Sequence, residues 1–361
     1  MGHRYIGAKT QIIDSVVGHI SRITVKNAKI ADIMCGTAAV SSALRNSGYT
    51  VLANDVMTYS YHHARVALHL NRQPAFMRLK DFVKDYLPKN SQKNILPSSG
   101  YEKVLRALNN VPSKKGYFWR EFSSMGAPNN GEKARNYFTP ENAAKIDAIR
   151  YWIQLFKAEN LTSDLEHSLL IHDLVMAAND VANIAGTYGH FLSKTVSRAT
   201  LPIALTPTQL LSSNGGKHHL VYQGYAEDIA AKISCDLCYV DPPYMKRQYA
   251  ANYHVLETLA RGDEPEAIGI SGLRPWRDQY SNFCTKTKIS DSFARMVGTM
   301  DCPQFLISYS EDGLLSINQL RNILGEFGSV SVSTLPNKRF KSNESRLSST
   351  LTEYLVHLVK N

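Results

Sequence analysis

Asp236-Leu237-Cys238-Tyr239-Val240 runs straight into Asp241-Pro242-Pro243-Tyr244. A short apolar run cut off by a prolyl turn reads as a buried strand with a stiff corner at its end. Working outward, the same rhythm recurs. Upstream, Leu220–Gln223 reads as a strand and Ala226–Ile233 as a helix. At the start of the chain, residues 11–25 carry Ile12, Ile13, Val16, Val17 and Ile20 at helical spacing. Ala28–Met34 is a strand-like run into Cys35-Gly36-Thr37, followed by a helix through Ala39, Val40, Ala43 and Leu44. Asn46-Ser47-Gly48 breaks it, Tyr49–Ala53 forms a second strand closing on Asn54-Asp55, and Met57–Leu70 is helical. Strand, turn and helix repeated in this way predict an open α/β sheet of Rossmann-like type.

From about Gln73 to Ser213 the rhythm lapses. Leu87–Gly100 is rich in Ser, Asn, Lys and Pro, Lys114–Tyr137 is polar and aromatic, and Glu141–Lys157 and Ser163–Ala185 are helical. Strand-like runs return at Gln304–Ser308, Val330–Ser333 and Thr352–Leu358. The expected organisation is therefore a sheet domain, residues 1–75 and 215–361, split by a mainly helical insertion, 76–214. No internal repeat is visible.

The bulk numbers agree with a globular protein of 361 residues, 43% apolar and 20% charged. No apolar run reaches the length of a membrane span and the N-terminus lacks a signal-peptide layout, so a cytoplasmic location is expected. Five cysteines, odd in number and scattered, argue against a disulfide framework. Cys235-x-x-Cys238 lies on the buried strand without a second ligand pair, so no metal site is expected. The net charge of +10 favours a polyanionic partner.

The prolyl corner carries the sharpest chemistry. Ligands of open α/β sheets bind at the carboxyl ends of the strands. The exocyclic amine of a purine is a poor nucleophile because its lone pair is delocalised into the ring. A carboxylate at one amine hydrogen (Asp241) and a carbonyl at the other (Pro242) localise that lone pair for in-line attack on a methyl sulfonium. Pro243 stiffens the turn, and Tyr244 offers a face for an extruded base. Three weaker signals accompany it. Asp32 through Ala39 is a strand running into a glycine turn and a helix, with Gly36 allowing close backbone approach. Asp55 at the next strand end suits a ribose diol, or caps the following helix. Near the N-terminus, Lys9 suits a cofactor carboxylate and Tyr5 suits packing on the cofactor.

These motifs, in this order, resemble the D12 class of DNA adenine-N6 methyltransferases, the class that includes Dam-type and restriction-modification enzymes. The match runs through Tyr5-Ile6-Gly7-Ala8-Lys9, Asp32–Ala38, Asp55, an insertion, and Asp241–Tyr244. Arg135–Thr139, Val181–Gly189 and Arg247–Thr258 are similar to the restriction-type branch. The resemblance implies S-adenosylmethionine as cofactor, held by Tyr5, Lys9, Asp32, Gly36, Asp55, Tyr225 and Asp241. It implies double-stranded DNA as substrate, target recognition by the insertion, and a possible cognate endonuclease; monomer and dimer both stay open. Three positions depart from the family pattern: Met34 replaces a usual phenylalanine, Ala38 a usual glycine, and Tyr225 a frequent aspartate.

Lys114, Lys115 and Arg120, interleaved with Tyr117 and Trp119, are candidate DNA contacts, as are Arg247, Tyr249, Asn252, Tyr253 and His254 just past the corner. Lys338-Arg339-Phe340-Lys341 is a further basic cluster. Cys302 precedes Pro303 away from the expected strand end, so cytosine-C5 chemistry is unsupported. Cytosine-N4 methylation, an RNA substrate and a non-catalytic DNA-binding relative remain the alternatives.

Overall fold

The protein is described from a computed structural model covering residues 12–87, 99–211, 218–338 and 350–361. The strands are β1 (Lys29–Asp32), β2 (Thr50–Asp55), β3 (Leu220–Gln223), β4 (Leu237–Val240), β5 (Gln304–Ser310), β6 (Gly328–Lys338) and β7 (Thr350–Lys360). They form one sheet in the order β3-β2-β1-β4-β5-β7-β6. The pairs from β3 through β5 are parallel, and β7 runs antiparallel between β5 and β6.

In chain order the helices are α1 (Ile13–Ile23), α2 (Ala39–Asn46), α3 (Thr58–His69), α4 (Lys80–Tyr86), α5 (Gly100–Asn110), α6 (Tyr117–Phe122) and α7 (Pro140–Ala158). They continue with α8 (Asp164–Asp180), α9 (Ala226–Ile229), α10 (Tyr249–Asn252), α11 (His254–Arg261), α12 (Ile289–Thr299) and α13 (Ile317–Gly325).

The sheet is covered on both faces, and strand alternation decides which side chain goes where. Ile30, Val51, Leu237, Tyr239 and Leu306 point to one core, against Val16 and Ile20 of α1, Val40 and Leu44 of α2, and Leu68 of α3. Ala31, Leu52, Cys238, Val240 and Ile307 point to the other, against Ile229, Phe293, Met296, Leu320 and Leu324 from α9, α12 and α13. β4 is buried along its whole length because each of its neighbours in the alternation has a helical layer to meet.

Two compact units result. One holds the sheet, from Tyr5–Leu68, Ser213–Asn252 and Arg277–Asn361; the other is helical, from His69–Ser212 and Tyr253–Trp276. The units differ from the expected boundaries in two ways: the helical unit already begins at His69, and it takes in a later segment. Tyr253–Trp276, assigned from sequence to the sheet domain, packs with the insertion, where α11 lies against α8. The physical reason is that seven of the eight residues of α11 are buried, a helix that needs cover on nearly every side.

The helical unit is built around polar anchors. Thr139 caps α7, and Ser163 with Glu166 forms a capping box on α8. Asp147 on α7 accepts the backbone N–H groups of Gly116, Phe118 and Trp119 at 2.8–2.9 Å, so α6 is capped from a neighbouring helix. Arg135 is 0% exposed; its guanidinium donates to the Glu121 carboxylate at 2.8 Å and to the carbonyls of Ala267, Gly269 and Ile270. That fork holds the tight turn in which Ile268 and Leu273 exchange backbone hydrogen bonds. Among the described residues, no helix is long and apolar enough to cross a membrane.

Candidate active site

The chain builds β1, β2 and β3 in one direction and then returns to lay β4 on the other flank of β1. The carboxyl ends of β1 and β4 therefore part at a topological switch point, where open α/β sheets place their ligands. A cleft with about 970 Å³ of space, counting its mouth, opens there. Its walls come from the sheet unit: Met34 and Gly36 after β1, Asn54 and Asp55 at the end of β2, Tyr225 after β3, and the whole of Asp241-Pro242-Pro243-Tyr244 after β4.

The β1–α2 turn is tightly folded. Gly36 has φ +51° and Ala38 φ +59°, both left-handed, and Ala38 N–H closes on the Cys35 carbonyl at 2.8 Å. Only glycine takes such angles without cost. This is why glycine is usual where Ala38 stands. Asp55 fixes the turn from β2. Its Oδ2 accepts the Gly36 N–H at 2.8 Å and its Oδ1 the Met57 N–H at 2.9 Å. Sequence reasoning missed Asn54, whose side chain is the cross-brace of the cleft. It is 1% exposed and donates to the carbonyls of Ile33 and Gly224 at 2.9 and 3.0 Å, tying the ends of β1 and β3 together.

The corner after β4 is held from β5. Leu314 N–H donates to the Tyr244 carbonyl at 2.9 Å, and the Tyr244 ring meets Tyr309 edge-on with centroids 5.9 Å apart. Tyr309 in turn accepts the Leu315 N–H at 3.1 Å and leaves no room for a Cβ on Gly313. Pro242 is buried, while Asp241, Pro243 and Tyr244 are half-buried in the cleft wall.

Asp32 departs from the sequence expectation. It is 1% exposed, does not line the cleft, and accepts Ser41 Oγ–H from α2 at 2.6 Å. Its place one residue before the turn puts it under the floor instead of on it. Burial pushes its carboxyl up to about 7, with the Ser41 hydrogen bond opposing and the charges of Asp241 and Asp55 adding to the rise. Cys35 is pushed up by burial and then by Asp55 and Asp32. The strand ends thus concentrate negative potential.

That donor set fits S-adenosylmethionine. A cationic sulfonium is favoured beside Asp55 and Asp241. Asp55 puts a backbone-anchored carboxylate in the cleft wall, which would suit a ribose diol, and Val56 and Phe283 give the cleft apolar lining. Tyr225, Gly36 and Asp241, singled out from the sequence, all line the cleft. Tyr5 and Lys9 lie outside the described residues, as does most of the basic cluster from Lys338 to Lys341.

Residues 5–323 match the D12 class N6 adenine-specific DNA methyltransferase family. The chain belongs to that family. It is 31% identical to Type II methyltransferase M.FokI of Planomicrobium okeanokoites over 99% of this chain and 53% of that protein. It is 29% identical to Type II methyltransferase M.NlaIII of Neisseria lactamica over 99% of both chains. With Modification methylase StsI of Streptococcus sanguinis the identity is 28%, over 98% of this chain and 51% of the relative. The chain therefore spans about half the length of M.FokI and StsI, and nearly the whole of M.NlaIII.

The residues singled out for DNA fall into three groups. Tyr249 lines the cleft, Arg247 is exposed beside the corner, and Asn252 is half-buried at the end of α10. Lys114 and Lys115 are exposed on the helical unit, their ammonium groups over the rings of Tyr151 (4.1 Å) and Trp119 (4.4 Å). Arg120 is half-buried and paired with Glu121 at 3.0 Å. Tyr253 and His254 correct the expectation: at 1% and 0% exposure they are core residues of the helical unit. His254 sits among Phe122 and Tyr137 with Nε2 at 3.0 Å from the Tyr188 carbonyl. Burial pulls its imidazole down to about 3, so it is neutral and offers no charge to a phosphate. The sequence carries the signal: the helix that His254 begins is itself apolar at Val255, Leu256, Leu259 and Ala260.

Proposed function

We propose that this chain transfers a methyl group from S-adenosylmethionine to N6 of an adenine swung out of double-stranded DNA. The observation that carries the reading is that Asp241–Tyr244 and the Gly36–Asp55 turn line one cleft at the switch point of the sheet. S-adenosylmethionine, when bound, supplies an electrophilic methyl. The residues of the chain supply position and hydrogen-bond acceptors. The Asp241 carboxylate takes one amine hydrogen and the Pro242 carbonyl the other, drawing the nitrogen toward a tetrahedral shape that exposes its lone pair. Tyr244, braced by Tyr309, offers the face for the extruded base. Asp55 and Gly36 hold the cofactor end, with Tyr5 and Lys9 as further cofactor contacts.

Exposed Lys114, Lys115 and Arg247 suit phosphates of the duplex. The insertion with Tyr253–Trp276 suits target recognition, and the names of the relatives support a place in a restriction-modification system beside a cognate endonuclease. Adenine is favoured over cytosine-N4 by family membership and by aspartate at 241.

The test is incubation with labelled S-adenosylmethionine and duplex DNA of varied sequence, followed by digestion to nucleosides. Label in N6-methyladenine is expected. Label in N4-methylcytosine, or none on any DNA, overturns the reading. Asp241→Ala should lower transfer by a factor on the order of 10³ with thermal stability unchanged.

A further inference from the structure

The segment Asp278–Cys284 crosses the carboxyl ends of the strands and is fastened at three points by side chains. Tyr225, after β3, donates its hydroxyl to the Asp278 carbonyl at 2.6 Å. Gln279 donates to the carbonyl of Val56, after β2, at 2.9 Å. The third fastening is reciprocal. Gln248 Nε2 donates to the Ser281 carbonyl at 2.9 Å, and the Ser281 N–H donates to Gln248 Oε1 at 2.8 Å. Beside it the Cys284 thiol donates to the Arg247 carbonyl at 3.3 Å. Gln248 also starts α10, its carbonyl accepting the Asn252 N–H at 3.1 Å. Both sides of this clasp line the cleft, Tyr249 and Ala250 on one and Ser281 and Phe283 on the other.

We infer that Gln248 is a positioning residue that sets affinity for S-adenosylmethionine, by clasping Asp278–Phe283 to the chain that leaves the prolyl corner. The inference rests on the cofactor proposed above. A carboxamide is suited to the role because it donates and accepts at once, matching both backbone polar groups of one residue, Ser281. Leucine can do neither. A carboxylate can only accept, and it sets a charge against the Ser281 carbonyl. A protonated carboxyl regains the donor and restores both bonds within nearly the same volume.

That chemistry gives a test that a merely structural role would not satisfy. Labelled S-adenosylmethionine is bound by equilibrium dialysis to the wild-type chain, Gln248→Leu and Gln248→Glu at pH 8 and pH 5.5. Each variant is compared with wild type at the same pH, which cancels the titration of Asp32. Burial raises Cys284 to about 12 and also raises Tyr225, so both neighbours keep their protons throughout. Gln248→Leu should bind at least about tenfold more weakly at both pH values, the loss expected from removing two hydrogen bonds. Gln248→Glu should match that loss at pH 8 and return to within about threefold of wild type at pH 5.5, because half-burial and the Ser281 carbonyl oxygen facing the introduced carboxyl favour its protonated form and raise it above the usual ~4.3. Variants binding like wild type at both pH values overturn the inference, as does a glutamate variant whose loss is the same at both. Failure of the wild-type chain to bind would instead overturn the cofactor assignment. The glutamate comparison uses one protein at two pH values, so a folding defect in the leucine variant leaves the test intact.

Discussion

Replacing Asp32 with asparagine should flatten the pH dependence of stability in the sheet unit. Asp32 sits beneath the cleft floor, fully buried, with its carboxyl raised from the ordinary 3.8 to about 7. The folded chain therefore holds this proton more tightly than the unfolded chain does. Stability from the site is greatest at low pH and falls as pH rises from about 4 to about 7, above which no more is lost. At pH 5.5 the group is protonated when folded and ionised when unfolded; by pH 8 it is ionised in both. Each pH unit in the window is worth about 1.4 kcal/mol, so moving from pH 5.5 to pH 8 should cost about 2 kcal/mol at this residue. Asparagine keeps an acceptor for Ser41 Oγ and cannot ionise. Urea unfolding of wild type and Asp32→Asn at the two pH values measures the difference between their pH decrements. Asp173, buried in the helical unit and also raised to about 7, contributes equally to both proteins and drops out. Equal decrements would refute the buried-acid reasoning. Because Asp32 is not in the cleft wall, the variant should bind S-adenosylmethionine with near wild-type affinity at pH 6.

Other substitutions probe the frame around the site. Ala38→Val places a β-branched residue at φ +59° and should destabilise the sheet unit by about 2 kcal/mol or more in chemical denaturation. Gly313→Ala puts a Cβ 2.2 Å from the Tyr309 ring; the ring must move, costing about 1–3 kcal/mol, and kcat should fall because Tyr309 braces Tyr244. Arg135→Leu leaves the buried Oε2 of Glu121 and four carbonyls without their guanidinium, Arg120 pairing only Oε1. It should cost about 3–5 kcal/mol and make Ile268–Leu273 sensitive to protease before the rest of the chain.

Much of the sheet was legible because parallel strands buried on both faces are short, apolar and closed by a turn. β1, β2, β3 and β4 fall within a few residues of the expected positions, and β4 leads to the corner that lines the cleft. β6 and β7 proved longer than the expected runs. Ser329, Ser331 and Ser333 interrupt β6 with polar residues on alternate positions, leaving only Val330 to Ser333 strand-like to the eye, while the backbone pairs with β7 over the whole length. The expected helix Ala226–Ile233 tightens after Ile229 into a 3-10 turn, which sequence periodicity does not distinguish over so few residues. Within the site, residue type pointed to Asp55 and Asp241, but it could not say whether Asp32 at the end of β1 would face the cleft. A shift of one residue along a strand reverses the face, and Asp32 lies on the wrong side of that alternation. Asn54 and Gln248 were unreadable for another reason. Each acts by hydrogen bonds to backbone groups distant in sequence, and such partners leave no pattern of side-chain types.

Among the described residues the chain passes between the two units at Leu68–His69, between residues 211 and 218, and at Asn252–Tyr253 and Trp276–Arg277. The helical unit is consequently not a cassette. Excising residues 76–214 alone would strand α11, with its buried Val255, Leu256 and Leu259, in water. Any exchange of sequence preference between relatives would have to carry Tyr253–Trp276 along with the insertion, as a transplant of two separated segments.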